Sequence, residues 1–589
     1  MGKRVVISFL TLVLLFTFSN VPMSEAKIKT NGNEDRMAKK WVKEQVKNMS
    51  IEEKVGQLFI VHAYGKTTID PEFAATNREK NRGGANFKEI IEKYHIGGVI
   101  YFNWSHNIGS PVDFNQVQSL SNGLQEIALK QKSKIPLFIS TDQEGGVVAR
   151  IAEPATVFPG NMALGATRSA DLAKKSAKIM GIELKSLGVN MDFAPDLDVN
   201  MNPENPVIGV RSYSENPDLV ASLGIRQVKG LQSQNVIATG KHFPGHGDTN
   251  VDSHYGLPIV NHNLQTLKNV DLKPFIQAIQ NGIDAIMTAH IVVPALDDSG
   301  LPATLSKPIM TGMLREKLGY DGLIITDSLD MSGANVLPMA EVPVAAFQAG
   351  ADILLNPPDV EVAYNAMLKA VKTKEISKQR LDQSVSRILL AKYKRGIILQ
   401  PYVNKDAIHL IGGAEHLKFA DQLTEASITL IKNEHKILPL QKGKKLLVTG
   451  PSIANSERLA NLLIEKGMDS IISSTGTSPT TDQILTAVTC AQNVDVIIVT
   501  TYNANTNNAQ QALVRALKQT GKPVVVASMR NPYDIMAFPE VDANILTYGN
   551  RDISTQALTK VLAGEIQPNG KLPVTIPKLY DFGFGLQLK

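Results

Sequence analysis

One cysteine, Cys490, stands in a chain of 589 residues. A lone thiol excludes an intrachain disulfide framework and any cysteine-based zinc cluster, since both need more than one. No long block of a single charge is present either. The 61 Lys and Arg offset 56 Asp and Glu, and the net +5 is spread along the sequence. Phosphate-driven binding needs a concentrated basic face, so nucleic acid is not an expected partner. Beyond the N-terminal leader no apolar stretch is long enough to span a membrane. What is present is the composition of a globular chain: 43% hydrophobic residues and 20% charged residues of mixed sign exclude disorder. The length suggests more than one domain.

Residues 1–26 read as a secretory signal peptide. Lys3 and Arg4 form a positive start, and Val5 to Phe18 is apolar apart from Ser8, Thr11 and Thr17. Ser24-Glu25-Ala26 supplies small residues at the −3 and −1 positions of a cleavage site. A spanning helix needs roughly 20 apolar residues, more than this run provides. The expectation is an exported protein, extracellular or cell-wall associated. After cleavage it has no membrane attachment, because no cysteine follows the run to carry a lipid.

From about Glu34 to Gly396 short apolar runs alternate with amphipathic segments, the pattern of repeated βα units. The runs are Gly56–His62, Gly97–Asn103, Pro136–Asp142, Val189–Asp192, Val236–His242, Ala285–His290, Leu323–Asp327 and Asp352–Asn356. Helix-like stretches include Ala170–Leu187, Pro217–Gln234, Leu264–Asn281, Pro308–Leu318 and Ser377–Gly396. Eight strands with intervening helices predict a (β/α)8 TIM-like barrel over 27–400. Nearly every run ends in a polar or ionisable residue, which places the chemistry at the C-terminal face of the barrel. The pattern breaks at Leu399-Gln400-Pro401. New runs at Ile428–Ile431, Lys445–Thr449, Val494–Thr500, Pro523–Ala527 and Ala543–Thr547, with helices Ser456–Lys466 and Asn508–Thr520, predict a smaller α/β/α sandwich domain over 401–589.

The densest constellation is Lys241-His242-Phe243-Pro244-Gly245-His246-Gly247-Asp248, followed by Asp252-Ser253-His254. Three of the chain's 11 histidines fall within it. One reading is a metal site on His242, His246 and Asp248, with His254 nearby. The other is acid/base catalysis. Asp252 and His254 are two apart, so in an extended segment both side chains project to one side. The carboxylate could then fix the imidazole tautomer and aim the other nitrogen at a substrate. Asp327, straight after a buried strand, suits a nucleophile or a charge stabiliser, with Asp330 its competitor and a helix cap the bland alternative. Asp142-Gln143-Glu144-Gly145-Gly146 places a carboxylate at another strand end, with glycines that permit close approach of backbone to ligand. Arg211 lies in Val207-Ile208-Gly209-Val210-Arg211-Ser212. A carboxylate, Arg, Lys and His around one pocket grip sugar hydroxyls, but carboxylates and phosphates equally well.

These motifs, in this order, resemble those of glycoside hydrolase family 3 in its bacterial β-N-acetylglucosaminidase branch. Thr326-Asp327-Ser328-Leu329-Asp330-Met331 belongs to the same set. Ile428-Thr429-Leu430-Ile431-Lys432-Asn433 and Pro568-Asn569-Gly570-Lys571-Leu572-Pro573-Val574 resemble the C-terminal domain of two-domain members. The resemblance implies retaining, cofactor-free removal of terminal β-linked N-acetylglucosamine. It implies Asp327 as nucleophile, His254 as acid/base and Asp252 as its orienting partner. Asp142, Arg211, Lys241 and His242 would bind the sugar, and no metal is required.

The expected substrate is an oligosaccharide, with cell-wall muropeptides carrying N-acetylglucosamine on N-acetylmuramic acid as the leading case. The expected protein is a monomer whose second domain contacts the wall. The competing functions are a phosphorylase, a chito-oligosaccharide scavenger, a metal-dependent barrel hydrolase, and a non-catalytic sugar-binding wall protein.

Overall fold

The computed structural model describes residues 32–589. The expected signal peptide lies outside them. Eight parallel strands form the first sheet: β1 (Phe59–Val61), β2 (Gly98–Ile100), β3 (Phe138–Thr141), β4 (Met191–Asp192), β5 (Ile237–Phe243), β6 (Ala285–Thr288), β7 (Leu323–Ile325) and β8 (Leu354–Leu355). Their order is β8-β1-β2-β3-β4-β5-β6-β7. Each falls within one of the eight apolar runs, except that β5 continues one residue past its run to Phe243, and all are buried. Strands covered on both faces read as continuous hydrophobic runs, which is why they are legible in the sequence.

The helices form where capping chemistry permits. Ser169, Asn216 and Ser377 cap Ala170–Ser186, Pro217–Gln232 and Lys378–Lys394, and Pro217 sits in the first turn where its missing N–H costs nothing. The helix expected over Leu264–Asn281 is two helices, Leu264–Asn269 and Lys273–Gln280. Pro274 accounts for the break: inside one long helix it would remove a hydrogen bond and clash with the preceding turn.

The barrel seam lies between β7 and β8, where a single bridge joins Ile325 to Ile353. The Asp352 side chain, fully buried, reinforces it. Its Oδ2 accepts from the Ile324 amide at 3.1 Å and from Arg315, while Oδ1 accepts from Ser384 at 2.5 Å and Arg387 at 3.3 Å. One carboxylate thus ties β7, the segment before β8 and the helix Lys378–Lys394 together.

The second sheet contains β9 (Thr429–Asn433), β10 (Lys445–Pro451), β11 (Asp469–Thr475), β12 (Val496–Thr501), β13 (Val524–Ser528) and β14 (Ala543–Leu546). Their order is β9-β14-β13-β12-β10-β11, with β9 antiparallel to β14 and the rest parallel. Alternate residues feed two cores on opposite faces. Leu447, Ile497 and Val526 join one, and Leu446, Ile498 and Val525 join the other. Strand β11 has no counterpart among the runs read from the sequence. It is a Ser-rich edge strand paired only with β10 and half exposed, so it carries no apolar run.

The two domains share a core. Met162, Ala163, Ala166 and Val210 from the barrel pack with Leu572, Val574 and Tyr548 of the second domain. Among the described residues, no helix is long and apolar enough to cross a membrane.

Removing one partner of a buried ion pair leaves the others uncompensated and costs about 3–5 kcal/mol. Asp352→Ala is therefore expected to lower unfolding free energy by about that amount, read as a lower denaturant midpoint. A variant as stable as the parent would show that the seam does not depend on this carboxylate.

Candidate active site

A cavity of about 280 Å³ opens at the C-terminal ends of the barrel strands. Below it lies an ion cluster. Glu144, in the hairpin strand Gln143–Gly145, has a side chain only 1% exposed. Arg211 donates to both its oxygens, Nη2 to Oε1 at 2.8 Å and Nε to Oε2 at 2.9 Å. Lys241 Nζ stands 2.7 Å from Glu144 Oε1 and 2.9 Å from Asp142 Oδ1. Burial alone would push the Glu144 carboxyl up; Arg211 and Lys241 outweigh it and hold the group well below the usual carboxylate range. The same contacts raise Arg211 and Lys241 against their own burial.

Strand β5 delivers two successive side chains here. Neighbouring strand residues point to opposite faces, yet Lys241 and His242 both reach the site. The register against β6 shifts between Gly240 and Phe243. Such a bulge re-aims the side chains next to it. His242 Nδ1 lies 2.7 Å from Asp198 Oδ2, and its Nε2 lies 3.4 Å from Arg211 and 4.0 Å from Asp327 Oδ2.

Of the four residues expected to bind sugar, Asp142, Arg211 and His242 line the cavity. Lys241 is 2% exposed and acts through Asp142 and Glu144. The two glycines after Glu144 serve a different purpose from the one expected. A Cβ on Gly146 (φ +59°) would sit 2.8 Å from the Pro159 carbonyl oxygen, so the close approach is to the protein's own backbone.

Asp327 lies two residues beyond Ile325, the last paired position of β7, with 17% of its side chain exposed. Its Oδ1 accepts from the Ser328 amide at 2.7 Å. Burial raises its carboxyl, but His242, His290, the Ser328 amide and His254 together leave it below its ordinary value. The competitor Asp330 has both oxygens occupied, by Ser328 Oγ at 2.7 Å and Asn356 Nδ2 at 2.9 Å. Both aspartates border the cavity, and only Asp327 turns an oxygen toward His242.

Asp252 and His254 pair, though not by the extended geometry expected. The chain turns at Asp252, whose Oδ1 accepts from the His254 amide at 2.9 Å and from His254 Nδ1 at 2.7 Å. Asp side chains bonding the amide two residues on form such Asx-turns. Because a carboxylate only accepts, Nδ1 carries the proton and Nε2 is the nitrogen left to exchange one. His254 is half exposed and borders the same cavity as Asp327.

The remaining histidine of the motif is structural. His246 uses Nδ1 on Thr249 Oγ1 (2.8 Å) and Nε2 on Ser253 Oγ (2.9 Å), and burial lowers its pKa to about 4. Asp248 pairs with His262 instead of His242. The metal reading on His242, His246 and Asp248 therefore fails on geometry. Among the described residues, Asp196, Asp198 and His242 bring three ligand atoms within reach of one cation. To bind it, His242 would have to release Asp198. Burial and then Asp198 also push the Asp196 carboxyl well up, which disfavours the ionised form a cation needs.

Sequence reasoning assigned no role to Glu144, Asp196 or Asp198. Glu144 lay inside a motif already singled out. Asp196 and Asp198 follow the fourth apolar run after Pro195, and their two-residue spacing was the available signal. Three of the polar strand ends support the site without lining it. His62 bonds Asn356, Asp192 accepts from the Gln143 amide, and His290 bonds the Ser328 carbonyl.

His262 latches the loop bearing Asp252 and His254. Its Nε2 lies 2.8 Å from Asp248 Oδ2 and its Nδ1 2.7 Å from Asp271 Oδ2. The Asp271 hydrogen bond, set against burial, raises the His262 pKa, whereas burial raises that of Asp271. A raised histidine contributes stability present below its unfolded pKa and lost as pH climbs through the folded one. The latch is complete only between the two folded pKa values. His262→Gln is therefore expected to lower Tm more at pH 6 than at pH 9, read by calorimetry; equal losses at both would remove the latch.

The comparisons with known proteins agree with this geometry. Residues 50–391 match the glycosyl hydrolase family 3 N-terminal domain, and residues 428–585 match the family 3 C-terminal domain. The chain is 37% identical over 549 residues to a β-hexosaminidase A of Pseudoalteromonas piscicida, covering 83% of this chain and 90% of that one. It is 26% identical to a β-N-acetylglucosaminidase/β-glucosidase of Cellulomonas fimi, covering 91% and 95%. A family 3 β-N-acetylglucosaminidase structure from Paenibacillus sp. str. FPU-7 superposes with a TM-score of 0.82 at 38% identity, covering 90% of this chain and 99% of that one. With both domains matched and a barrel whose strand ends converge on one acidic and basic pocket, the chain belongs to glycoside hydrolase family 3.

Proposed function

We propose that this glycoside hydrolase is a retaining exo-β-N-acetylglucosaminidase acting outside the cell on muropeptides that carry terminal N-acetylglucosamine. The observation that carries the mechanism is a single one. Asp327, held ionised, and His254, with Nε2 free and Nδ1 bonded to Asp252, border the same cavity.

In the first step an Asp327 oxygen attacks the anomeric carbon and the glycosidic C–O bond breaks. His254 Nε2 gives its proton to the departing oxygen. In the second step His254 takes a proton from water, which displaces Asp327 and restores the original anomeric configuration. Asp252 fixes the tautomer and stabilises the imidazolium. Most retaining glycosidases place two carboxylates about 5–5.5 Å apart, which forces one to hold a raised pKa. A histidine in the acid role places no second negative charge beside Asp327. Asp142, Arg211 and His242 line the cavity to grip the sugar at the cleavage point, with Lys241 holding Asp142 in place.

The activity rests on the relatives, whose names give β-hexosaminidase and β-N-acetylglucosaminidase. The muropeptide assignment and the extracellular location rest on the leader at 1–26 and the mildly basic composition, suited to an anionic wall. Wall contact by the second domain and a monomeric state belong to the same proposal.

Aryl β-N-acetylglucosaminide is expected to be cleaved in preference to aryl β-glucoside, and Asp327→Ala to abolish turnover. A glucoside preference would overturn the sugar assignment, and an active Asp327→Ala would overturn the mechanism. Dependence on phosphate, with a sugar 1-phosphate as product, would make the enzyme a phosphorylase. His254→Ala is expected to lower kcat by about 10²–10⁴-fold, the usual contribution of a general acid. Asp252→Ala is expected to lower kcat less, with KM nearly unchanged; parental kinetics in that variant would remove the dyad.

A further inference from the structure

At the opposite end of the barrel from the catalytic cavity lies an open groove of about 1090 Å³. Ile283, just before β6, and Leu323, the first residue of β7, are buried residues lining it. Two helices border it, Gly32–Asn48 near the start of the described chain and Lys378–Lys394 at the end of the barrel. Chemistry in such barrels sits at the other face, so the groove belongs to something other than catalysis.

Charge that is scattered along the sequence is gathered here in space. Seven Lys and Arg side chains border the groove against three Asp, an excess of four in a chain whose whole net charge is +5. The three aspartates are all taken. Asp382 pairs with Lys54 at 2.6 Å, Asp321 with Arg387 at 3.1 Å and Asp284 with Arg395 at 2.7 Å. Lys39 and Lys394 share Asp35, at 3.1 and 3.4 Å. That leaves Lys43, Lys47 and Lys378, exposed and without an ion pair or side-chain hydrogen bond among the described residues.

The fold gains little from this arrangement. Lys39, Lys43 and Lys47 recur every four residues, about 6 Å apart along one side of their helix, and like charges at that spacing destabilise it. The last turn of a helix favours a cation, which accounts for Lys47 alone. Lys378 opens its helix, where a cation opposes the dipole.

Cations kept where folding does not need them point to an anionic partner. All three free ones are Lys, ammonium point charges without the bidentate fork of Arg, and they suit a row of phosphates better than a carboxylate held in one geometry. Among the described residues no aromatic side chain borders the groove, so nucleic-acid bases have nothing to stack on. The buried Val42 and Val46 line the same recess, and a recess takes in a chain where a flat membrane meets only its rim.

We propose that this groove docks a linear phosphodiester chain without bases, a polyol phosphate, along the row Lys39, Lys43 and Lys47 with Lys378 added from the second helix. Held by its base, the enzyme keeps the catalytic face open. The contact is separate from any made by the second domain and does not depend on which sugar is cut.

The test measures the dissociation constant of poly(glycerol phosphate) for the full-length protein between about 50 and 200 mM salt. Lys43→Gln/Lys47→Gln/Lys378→Gln is expected to weaken binding roughly tenfold or more at the lower salt. It is also expected to make the slope of log Kd against log salt shallower by about 2, the share of three phosphate contacts on a single chain. Turnover of aryl β-N-acetylglucosaminide and Tm are expected not to fall in this variant. Lys442→Gln/Lys444→Gln/Lys445→Gln removes the same charge from the second domain, outside the groove, and is expected to bind like the parent. An equal loss in both triple variants would mean attraction by net charge alone and would overturn the groove, as would a parent that does not bind the chain. Phosphatidylglycerol vesicles bound as tightly as the polymer, and lost equally in the groove variant, would overturn the chain in favour of a membrane surface. A parent inactive on every N-acetylglucosaminide would sink the proposed hydrolysis and leave this binding result standing.

Discussion

The Glu144 carboxylate is where the segments that build the site meet. Arg211 arrives from the loop after β4, Lys241 from β5 and Asp142 from the end of β3, and all are joined directly or at one remove through that group. Two anions and two cations balance there. A third carboxylate, Asp196, lies 3.9 Å from Arg211, and burial and then Asp198 push its carboxyl well up. That balance lets the cluster be buried at all, since an uncompensated interior ion costs several kcal/mol. It also means that Asp142, Arg211 and Lys241 are fixed in place by the fold itself. Placement paid in advance by folding is the usual source of a large share of the rate in enzymes that orient their substrates.

Three histidines in one motif look alike in sequence and do three different jobs. His242 is held by Asp198 and faces Asp327. His246 is buried and spends both nitrogens pinning Thr249 and Ser253. His254 keeps one nitrogen for Asp252 and leaves the other to the cavity. The pinning by His246 matters to the third role, because Ser253 adjoins His254 and its carbonyl accepts from Gly333 at 3.0 Å. His254, carried on a loop, is thereby tied both to the barrel strand behind it and to the segment after Asp327. Burial separates them: the buried His246 is kept neutral, and His254 is the most exposed of the three.

The barrel was legible because its strands are buried on both faces and so appear as eight uninterrupted apolar runs. Edge strand β11 was not, for the opposite reason: a half-exposed, serine-rich strand has no such run. The break at Val270–Leu272 could have been read from Pro274, a residue that helices tolerate only in the first turn. At the site, residue types and motif order exposed Asp327, Asp252 and His254, yet could not say how Asp252 reaches His254. The Asx-turn that joins them is local side-chain chemistry that strand alternation does not describe. Glu144, Asp196 and Asp198 stayed hidden because their importance lies in contacts to other segments of the chain, and nothing in a local spacing records which cation a carboxylate will meet. The bulge that turns both Lys241 and His242 inward is equally invisible until β5 is set against β6.

The second domain contributes no residue to the ion cluster, but it holds the segments on which the cluster is mounted. Arg551 donates to the Gly146 carbonyl at 2.9 Å, two residues from Glu144. Tyr533 accepts from Asn200 at 2.9 Å, two residues from Asp198. Glu215, four residues from Arg211, takes both the amide and the hydroxyl of Thr575. Each contact is spaced a few residues from a buried charge, and the apolar core shared by helix Asn161–Thr167 and the second sheet fixes them relative to one another. A barrel alone leaves such loops to find their own positions on the surface, where loops are the most mobile part of a fold. Docked this way, they are part of an interior, and the distances within the cluster become a property of the interface between the domains.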